Sequence, residues 1–263
     1  MGTGTIVDRS GLVLTVNYVL IGASEVEVTL FDGRTVEAEI VAQDFASGVG
    51  LLQISGTGHI PVPLRKSNNL QTGEEVFLVA SVGNGGPRVS TGAVSYLGPF
   101  DAYWEYLLDR SIMATVMSPG VGGGPMFDLA GRMVGITSLN LNEVGKFSLA
   151  VPVEYYVDYR EELLKHGRRG YRPRRAWVGL YCYTLQEHVV IVGLMPGAPG
   201  QAAGLKSGDV VLAIDGMAVS ERRELYRQLW LHGPEERVVF KIFRDNEVKL
   251  IEISTTSVEQ MFA

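Results

Sequence analysis

The chain has 263 residues, 46% of them hydrophobic and 20% charged, with a formal net charge of −6. That length predicts one or two domains, each able to bury a core, and the composition is that of a folded globular protein and not a disordered chain. The acidic balance gives no global attraction to nucleic acid, the single cysteine (Cys182) excludes an intramolecular disulfide, and no apolar run is long enough for a membrane span. His59, His166, His188 and His232 are scattered, with no carboxylate at ligand spacing, so neither a metal nor another cofactor is expected. The opening residues do not read as an export leader.

In chain order, short apolar runs recur between turn signals. Thr5–Asp8, Val26–Leu30, Val36–Val41 and Val76–Ala80 read as strands, followed by Gly92–Leu97, Arg132–Ser138 and Phe147–Val151. Asp32-Gly33, flanked by Phe31 and Arg34, predicts a tight two-residue hairpin connection. Many short strands at near-regular spacing favour an antiparallel barrel or sandwich over a parallel sheet.

The period changes at Pro152. Val153, Tyr156, Val157, Leu163 and Leu164 fall at helical spacing up to His166, with Pro152 suited to a first helical position and Gly167 to a C-cap. Arg168, Arg169, Arg172, Arg174 and Arg175 then make a basic stretch, read as a solvated linker, with a phosphate or lipid site as the alternative. A second unit begins at about Ala176. It holds strands at Val189–Leu194, Asp209–Ile214 and Val238–Phe243, and a helix over Glu221–Leu231 with Leu225 and Leu229 on one face. An Asp245-Asn246 hairpin precedes the closing strand Val248–Ile253.

Three stretches of the first unit resemble the catalytic neighbourhoods of the HtrA/Deg-type trypsin-like serine proteases. Thr15–Ala23 (TVNYVLIGA) resembles the family's T-N-N-H-V-V-x-G-A, and Asp44–Leu52 (DFASGVGLL) its D-x-x-x-D-I-A-L-L. Pro119–Met126 (PGVGGGPM) resembles its P-G-N-S-G-G-P-L. Gly2–Asp8, Gly83-Asn84-Gly85 and Thr91–Ser95 also follow the family. The resemblance implies a mostly β protein: a trypsin-like double antiparallel β-barrel followed by an α+β PDZ domain. The implied boundaries are residues 1–160 for the protease-like domain, 161–175 for a helix end and Arg-rich linker, 176–256 for the PDZ domain and 257–263 for a tail.

By the same resemblance the general base stands at Tyr18, the orienting acid at Gly48 and the nucleophile at Gly122. Acyl transfer to serine needs a hydroxyl, a base within reach of it and a carboxylate that holds the base. Gly122 and Gly48 have no side chain, and a phenol of pKa about 10 is a poor proton acceptor at neutral pH. A proteolytically inactive homologue is therefore expected. The alternative is an active HtrA-type serine endopeptidase of protein quality control using displaced residues such as Ser118, Ser47 or His59. Gly120 and Gly122 hold the positions of an oxyanion hole, read either as a vestigial anion-binding nest or as a glycine-rich turn.

In the second unit, Trp177-Val178-Gly179-Leu180 resembles the PDZ carboxylate-binding loop, and Ala198–Val210 (APGQAAGLKSGDV) resembles the family's S-P-A-x-x-A-G-L-K-x-G-D-V. PDZ units take extended peptide C-termini by strand addition. The residues implied for this are Trp177, Val178, Gly179, Leu180, Leu225, Tyr226 and Leu229, with Leu225 and Leu229 also core candidates and Arg222 on a neighbouring helical face. Implied partners are polypeptide C-termini or unfolded segments, with a homo-oligomer or a hetero-oligomer with an active paralogue open. The implied location is the periplasmic side, if the source is bacterial. The Gly2–Asp8 strand starts almost at the first residue, so either the chain is a trimmed piece or the first barrel is short of a strand; the family's usual trimer is not carried over.

Overall fold

Period-two burial marks the strands: in Glu75–Ser81, Val76, Leu78 and Ala80 are buried between less covered neighbours. The computed structural model describes residues 1–83, 86–120, 122–142, 145–169 and 174–262. Asn84 and Gly85 of the Gly83-Asn-Gly motif, Val121 of the glycine run, and Arg172 of the basic stretch lie outside the described residues.

Two compact units emerge: Met1–Phe100 with Leu108–Tyr171, and Asp101–Leu107 with Arg172–Ala263. In the first, β1 (Thr5–Ile6), β2 (Leu12–Val16), β3 (Val26–Thr29), β4 (Thr35–Asp44) and β5 (Val49–Ile54) form an antiparallel sheet in the order β1-β2-β5-β4-β3. Then β6 (Glu75–Ser81), β7 (Pro87–Asp101), β8 (Leu107–Ala114), β9 (Pro125–Asp128), β10 (Met133–Leu141) and β11 (Phe147–Pro152) close into a barrel in the order β10-β11-β8-β7-β6-β9. Val76, Leu78, Val94, Ile112, Met126 and Val134 fill it. The fold is mostly β as expected. In the first half β1 pairs with β2 and β3 with β4, so the five strands make one barrel-like sheet ahead of the closed barrel.

Three local expectations are corrected. The β3–β4 connection is not a two-residue turn: Leu30 N–H donates to the Arg34 carbonyl, enclosing three residues, and Gly33 takes φ 86° after donating to the Leu30 carbonyl. The single helix expected from Pro152 is two. Pro152 ends β11, opposite Gly135, and the helices are α1 (Glu154–Val157) and α2 (Arg160–His166), separated where Tyr159 leaves helical geometry at φ −118°, ψ 16°. Gly167 does cap α2, at φ 69°, and its carbonyl accepts the Gln43 amide. The basic stretch is not uniformly solvated either. Arg169 lies 4.9 Å from the Tyr155 ring centroid and 5.1 Å from that of Tyr159.

In the second unit β12 (Leu180–Leu185), β13 (His188–Leu194), α3 (Pro199–Ala202), β14 (Val210–Ile214), β15 (Met217–Ala218), α4 (Arg222–Leu229), β16 (Arg237–Arg244) and β17 (Glu247–Ser254) follow in order. The sheet runs β12-β13-β14-β16-β17, with β15 beside β14. Asp245 and Asn246 make the expected two-residue turn, both at positive φ, between paired Arg244 and Glu247. Ahead of α4, whose N-cap is Glu221, the Glu224 carboxylate accepts both the backbone amide and the hydroxyl of Ser220 at 2.8 Å. Residues expected as a tail hold a short helix, α5 (Val258–Phe262). Arg175 caps the Trp230 ring at 4.4 Å.

Candidate functional site

The first candidate site lies where the five-stranded sheet and the barrel of the first unit supply neighbouring loops. A 3-10 turn, Asn17–Leu20, follows β2 and carries Tyr18. The Asn17 amide donates to the Gly48 carbonyl at 2.8 Å, which ties this turn to the loop before β5. Gly48 sits at φ 78°, a backbone conformation that glycine adopts without penalty, and its amide donates to the Asp44 carbonyl at 2.7 Å. Asp44 itself is buried and accepts hydrogen bonds from the Ser47 hydroxyl and amide.

Gly122 closes the group. The Tyr18 hydroxyl donates to the Ser138 carbonyl at 2.6 Å and in doing so fills the space beside Gly122. A Cβ placed on Gly122 would overlap that hydroxyl oxygen and stand 3.0 Å from both the Ser138 carbonyl oxygen and Tyr18 Cζ. Desolvation raises the Tyr18 phenol above its ordinary pKa, so it stays a protonated donor. The glycine run is held by backbone pairing: Thr3 donates to the Gly122 carbonyl, Gly123 to Thr137, and Thr137 back to Gly124. Gly120 is packed as tightly, with the Ala80 Cβ 3.1 Å from where its own Cβ would be. The Tyr18 hydroxyl thus lies against Gly122, and the turn that carries Tyr18 is tied to Gly48 through Asn17.

Among the described residues, the displaced candidates have separate partners, Ser47 donating its hydroxyl to Asp44. The Ser118 amide donates to Asn140 Oδ1 and Ser148 Oγ, and its hydroxyl lies 3.5 Å from the Gly120 carbonyl. The His59 ring meets the Ser55 carbonyl, and the His188 ring that of Gln186. The His232 ring meets the carboxylates of Asp215 and Glu236. Among the described residues no group of three or more His, Cys, Asp or Glu is placed to hold a metal.

The second candidate site is the Trp177–Leu180 loop entering β12. Trp177 is buried and exchanges backbone hydrogen bonds with Thr256, fixing the start of the loop. Val178 and Leu180 turn into the core while Gly179 takes φ 75°, so three successive amides face one point. The Glu105 carboxylate occupies that point. Val178 N–H donates to both of its oxygens at 3.2 Å, Gly179 N–H to Oε1 at 2.6 Å and Leu180 N–H to Oε1 at 3.0 Å. Burial pushes the Glu105 carboxyl up to about 7, against the pull of the three amides, which favour the anion.

Helix α4 backs the loop, but not as an open groove wall. Leu225 and Leu229 are fully buried in the core, and the Tyr226 hydroxyl donates to the Ala102 carbonyl at 2.9 Å. Arg222 reaches Asp101 at 3.1 Å and the Cys182 carbonyl at 3.3 Å. Sequence reasoning found the amide loop and missed Glu105, which is 74 residues away along the chain from Gly179. The available signal was the run of three aromatics and an acid at Tyr103-Trp104-Glu105-Tyr106 between two apolar strands.

A family model described as a trypsin-like peptidase domain matches residues 2–136. The chain belongs to that family. A PDZ domain model matches residues 171–255 of this trypsin-like peptidase homologue. Among curated proteins it is 29% identical to a "Probable periplasmic serine endoprotease DegP-like" of Ectopseudomonas mendocina (strain ymp), over 97% of this chain and 56% of the relative. It is 28% identical, over the same shares, to a protein of the same description from Halomonas elongata. The chain therefore spans about half the length of the curated relatives it matches. Among solved structures, an HtrA-type protease AlgW with a decapeptide shares the fold at a TM-score of 0.61 and 23% identity, covering 97% of this chain and 82% of that one. A serine endoprotease from Yersinia pestis does so at 0.60 and 22%, covering 98% and 89%. The order of domains is that of the HtrA/DegP-type proteases, with a C-terminal PDZ domain.

Proposed function

We propose that this chain is a proteolytically inactive HtrA-type protein that binds polypeptide C-termini through its PDZ domain, as an adaptor, scaffold or chaperone-like subunit. One observation carries the reading: at Gly122, the place of the nucleophile, there is no hydroxyl, and the Tyr18 phenol fills the room one would need. Without nucleophile and base, the backbone of Gly120 and Gly122 offers at most the oxyanion-hole contribution, about 10³–10⁴ over water and far below a working protease. Peptide capture is supported by the Val178–Leu180 amides, which already hold a carboxylate. The descriptions of the DegP-like relatives support a periplasmic location.

The relatives' descriptions as endoproteases favour a second reading, an active serine endopeptidase with displaced catalytic residues. A fluorophosphonate probe and an unfolded casein substrate separate the two. Neither labelling nor cleavage above the buffer level is expected, and specific labelling of any serine would overturn the inactive reading. Assembly with an active paralogue is tested by co-purification and sizing, where a lone monomer counts against it.

A further inference from the structure

We infer that the Ala102–Leu107 segment is a built-in ligand of the PDZ domain: it occupies the carboxylate cradle and the adjoining strand edge in cis, so a polypeptide C-terminus binds only by displacing it. The inference rests on the peptide-binding reading of Trp177–Leu180 given above.

A C-terminal peptide is recognised by this kind of domain through strand pairing, through its carboxylate on the loop amides and through an apolar side chain set into the core. The segment reproduces all three. Trp104 bridges antiparallel to Tyr181 in β12, and the Cys182 amide donates to the Tyr103 carbonyl at 2.7 Å. The Glu105 carboxylate receives the Val178, Gly179 and Leu180 amides. Leu107 is buried in one core with Val178, Leu180, Leu225 and Leu229.

Further contacts fix the segment's ends and flank. Tyr226 donates its hydroxyl to the Ala102 carbonyl, and Arg222 and Arg223 grip the Asp101 carboxylate at 3.0 and 2.9 Å. The Tyr103 ring stacks 5.8 Å from that of Tyr183. The segment also turns on itself, the Ala102 amide donating to the Tyr106 carbonyl at 3.0 Å and that of Tyr106 to Trp104 at 2.6 Å. A turn so tied presents its acid from a side chain, where a free peptide would present its terminal carboxylate.

A tethered ligand competes at an effective concentration that a free peptide must exceed, and the apparent affinity for the free peptide falls by the fraction of molecules whose site is open. Removing Glu105 from the cradle raises that fraction. In the full chain, Glu105→Ala and the milder Glu105→Gln are expected to bind fluorescein-labelled pentapeptides ending in a free Leu, Val or Phe carboxylate at least about tenfold more tightly than the unmodified protein does. C-amidated counterparts are expected not to respond. In parallel, the backbone amide resonances of Gly179 and Leu180 are expected to shift on either substitution, with thermal melting confirming that the variants remain folded.

Gly179 and Leu180 resonances unmoved by Glu105→Gln would overturn the built-in ligand, as would equal peptide affinity in the unmodified and substituted proteins. If those amides shift and no pentapeptide binds either protein, the built-in ligand stands and the peptide-capture reading fails. The two failures are therefore distinguishable.

Discussion

Placing a hydroxyl at Gly122 is the most direct perturbation of the first candidate site. In Gly122→Ser the new Cβ falls on the Tyr18 hydroxyl, with the Ser138 carbonyl fixed behind it. Tyr18 can yield because the residue is 41% exposed, but swinging out breaks the 2.6 Å hydrogen bond to Ser138. The lost hydrogen bond costs about 1 kcal/mol. If the ring holds its place, overpacking costs about 1–3 kcal/mol instead. The expected destabilisation is thus about 1–3 kcal/mol, a melting-temperature drop of roughly 2–12 °C for a unit of this size. In a Tyr18→Ala background the obstacle is gone, and the same glycine-to-serine change should cost close to nothing. Calorimetry on the unmodified protein, the two single variants and the double variant measures the coupling directly. Equal cost of Gly122→Ser in both backgrounds would show that Tyr18 does not fill the space beside Gly122. The single variant should also stay unlabelled by fluorophosphonate, since no base accompanies the new hydroxyl.

Three other outcomes are expected. A free glutamate titrates near 4.3, and burial raises the docked Glu105 carboxyl to about 7, so the docked segment holds its proton more tightly. Docking should be strongest below the free value and weaken as pH rises through about 7, visible as a Gly179 amide shift that is absent in Glu105→Gln. The other groups facing this carboxyl do not titrate in that window: burial pushes Cys182 up to about 12 and Tyr226 far up. Asp209 is fully buried, pairs with Arg244 at 2.5 and 2.6 Å and accepts the Lys206 amide, so Asp209→Ala strands a guanidinium and should cost about 3–5 kcal/mol in urea unfolding. With its thiol buried and its pKa raised, Cys182 should resist iodoacetamide in the native protein at pH 8 and react fully in urea.

The strands and the PDZ loop were legible because their signals are local. Val76-Leu78-Ala80 and Val238-Phe240-Ile242 alternate within a few residues, and Asp245-Asn246 names its own turn. Trp177-Val178-Gly179-Leu180 could be matched to the PDZ carboxylate-binding loop by resemblance over four consecutive residues. The occupant of that loop could not. Glu105 reaches it by the long-range return of a chain segment, and in the sequence it stands as one acid among aromatics. The break at Tyr159 was hidden because Tyr156 and Leu163 keep helical spacing across it. The contact of the Tyr18 hydroxyl with Gly122 joins two positions 104 apart, and neither residue alone announces it.

The turn at Asp101–Leu107 belongs to the second unit although the chain on either side of it belongs to the first. A contiguous piece from residue 174 onward would lack both the acid that sits on its amide loop and Leu107, one of the side chains of its hydrophobic core. Such a piece would be an incomplete domain with an open ligand seat and a gap beside Leu225. The PDZ unit is therefore not a cassette: recombination or truncation that moves it without the β7–β8 turn changes both how well it folds and what it binds.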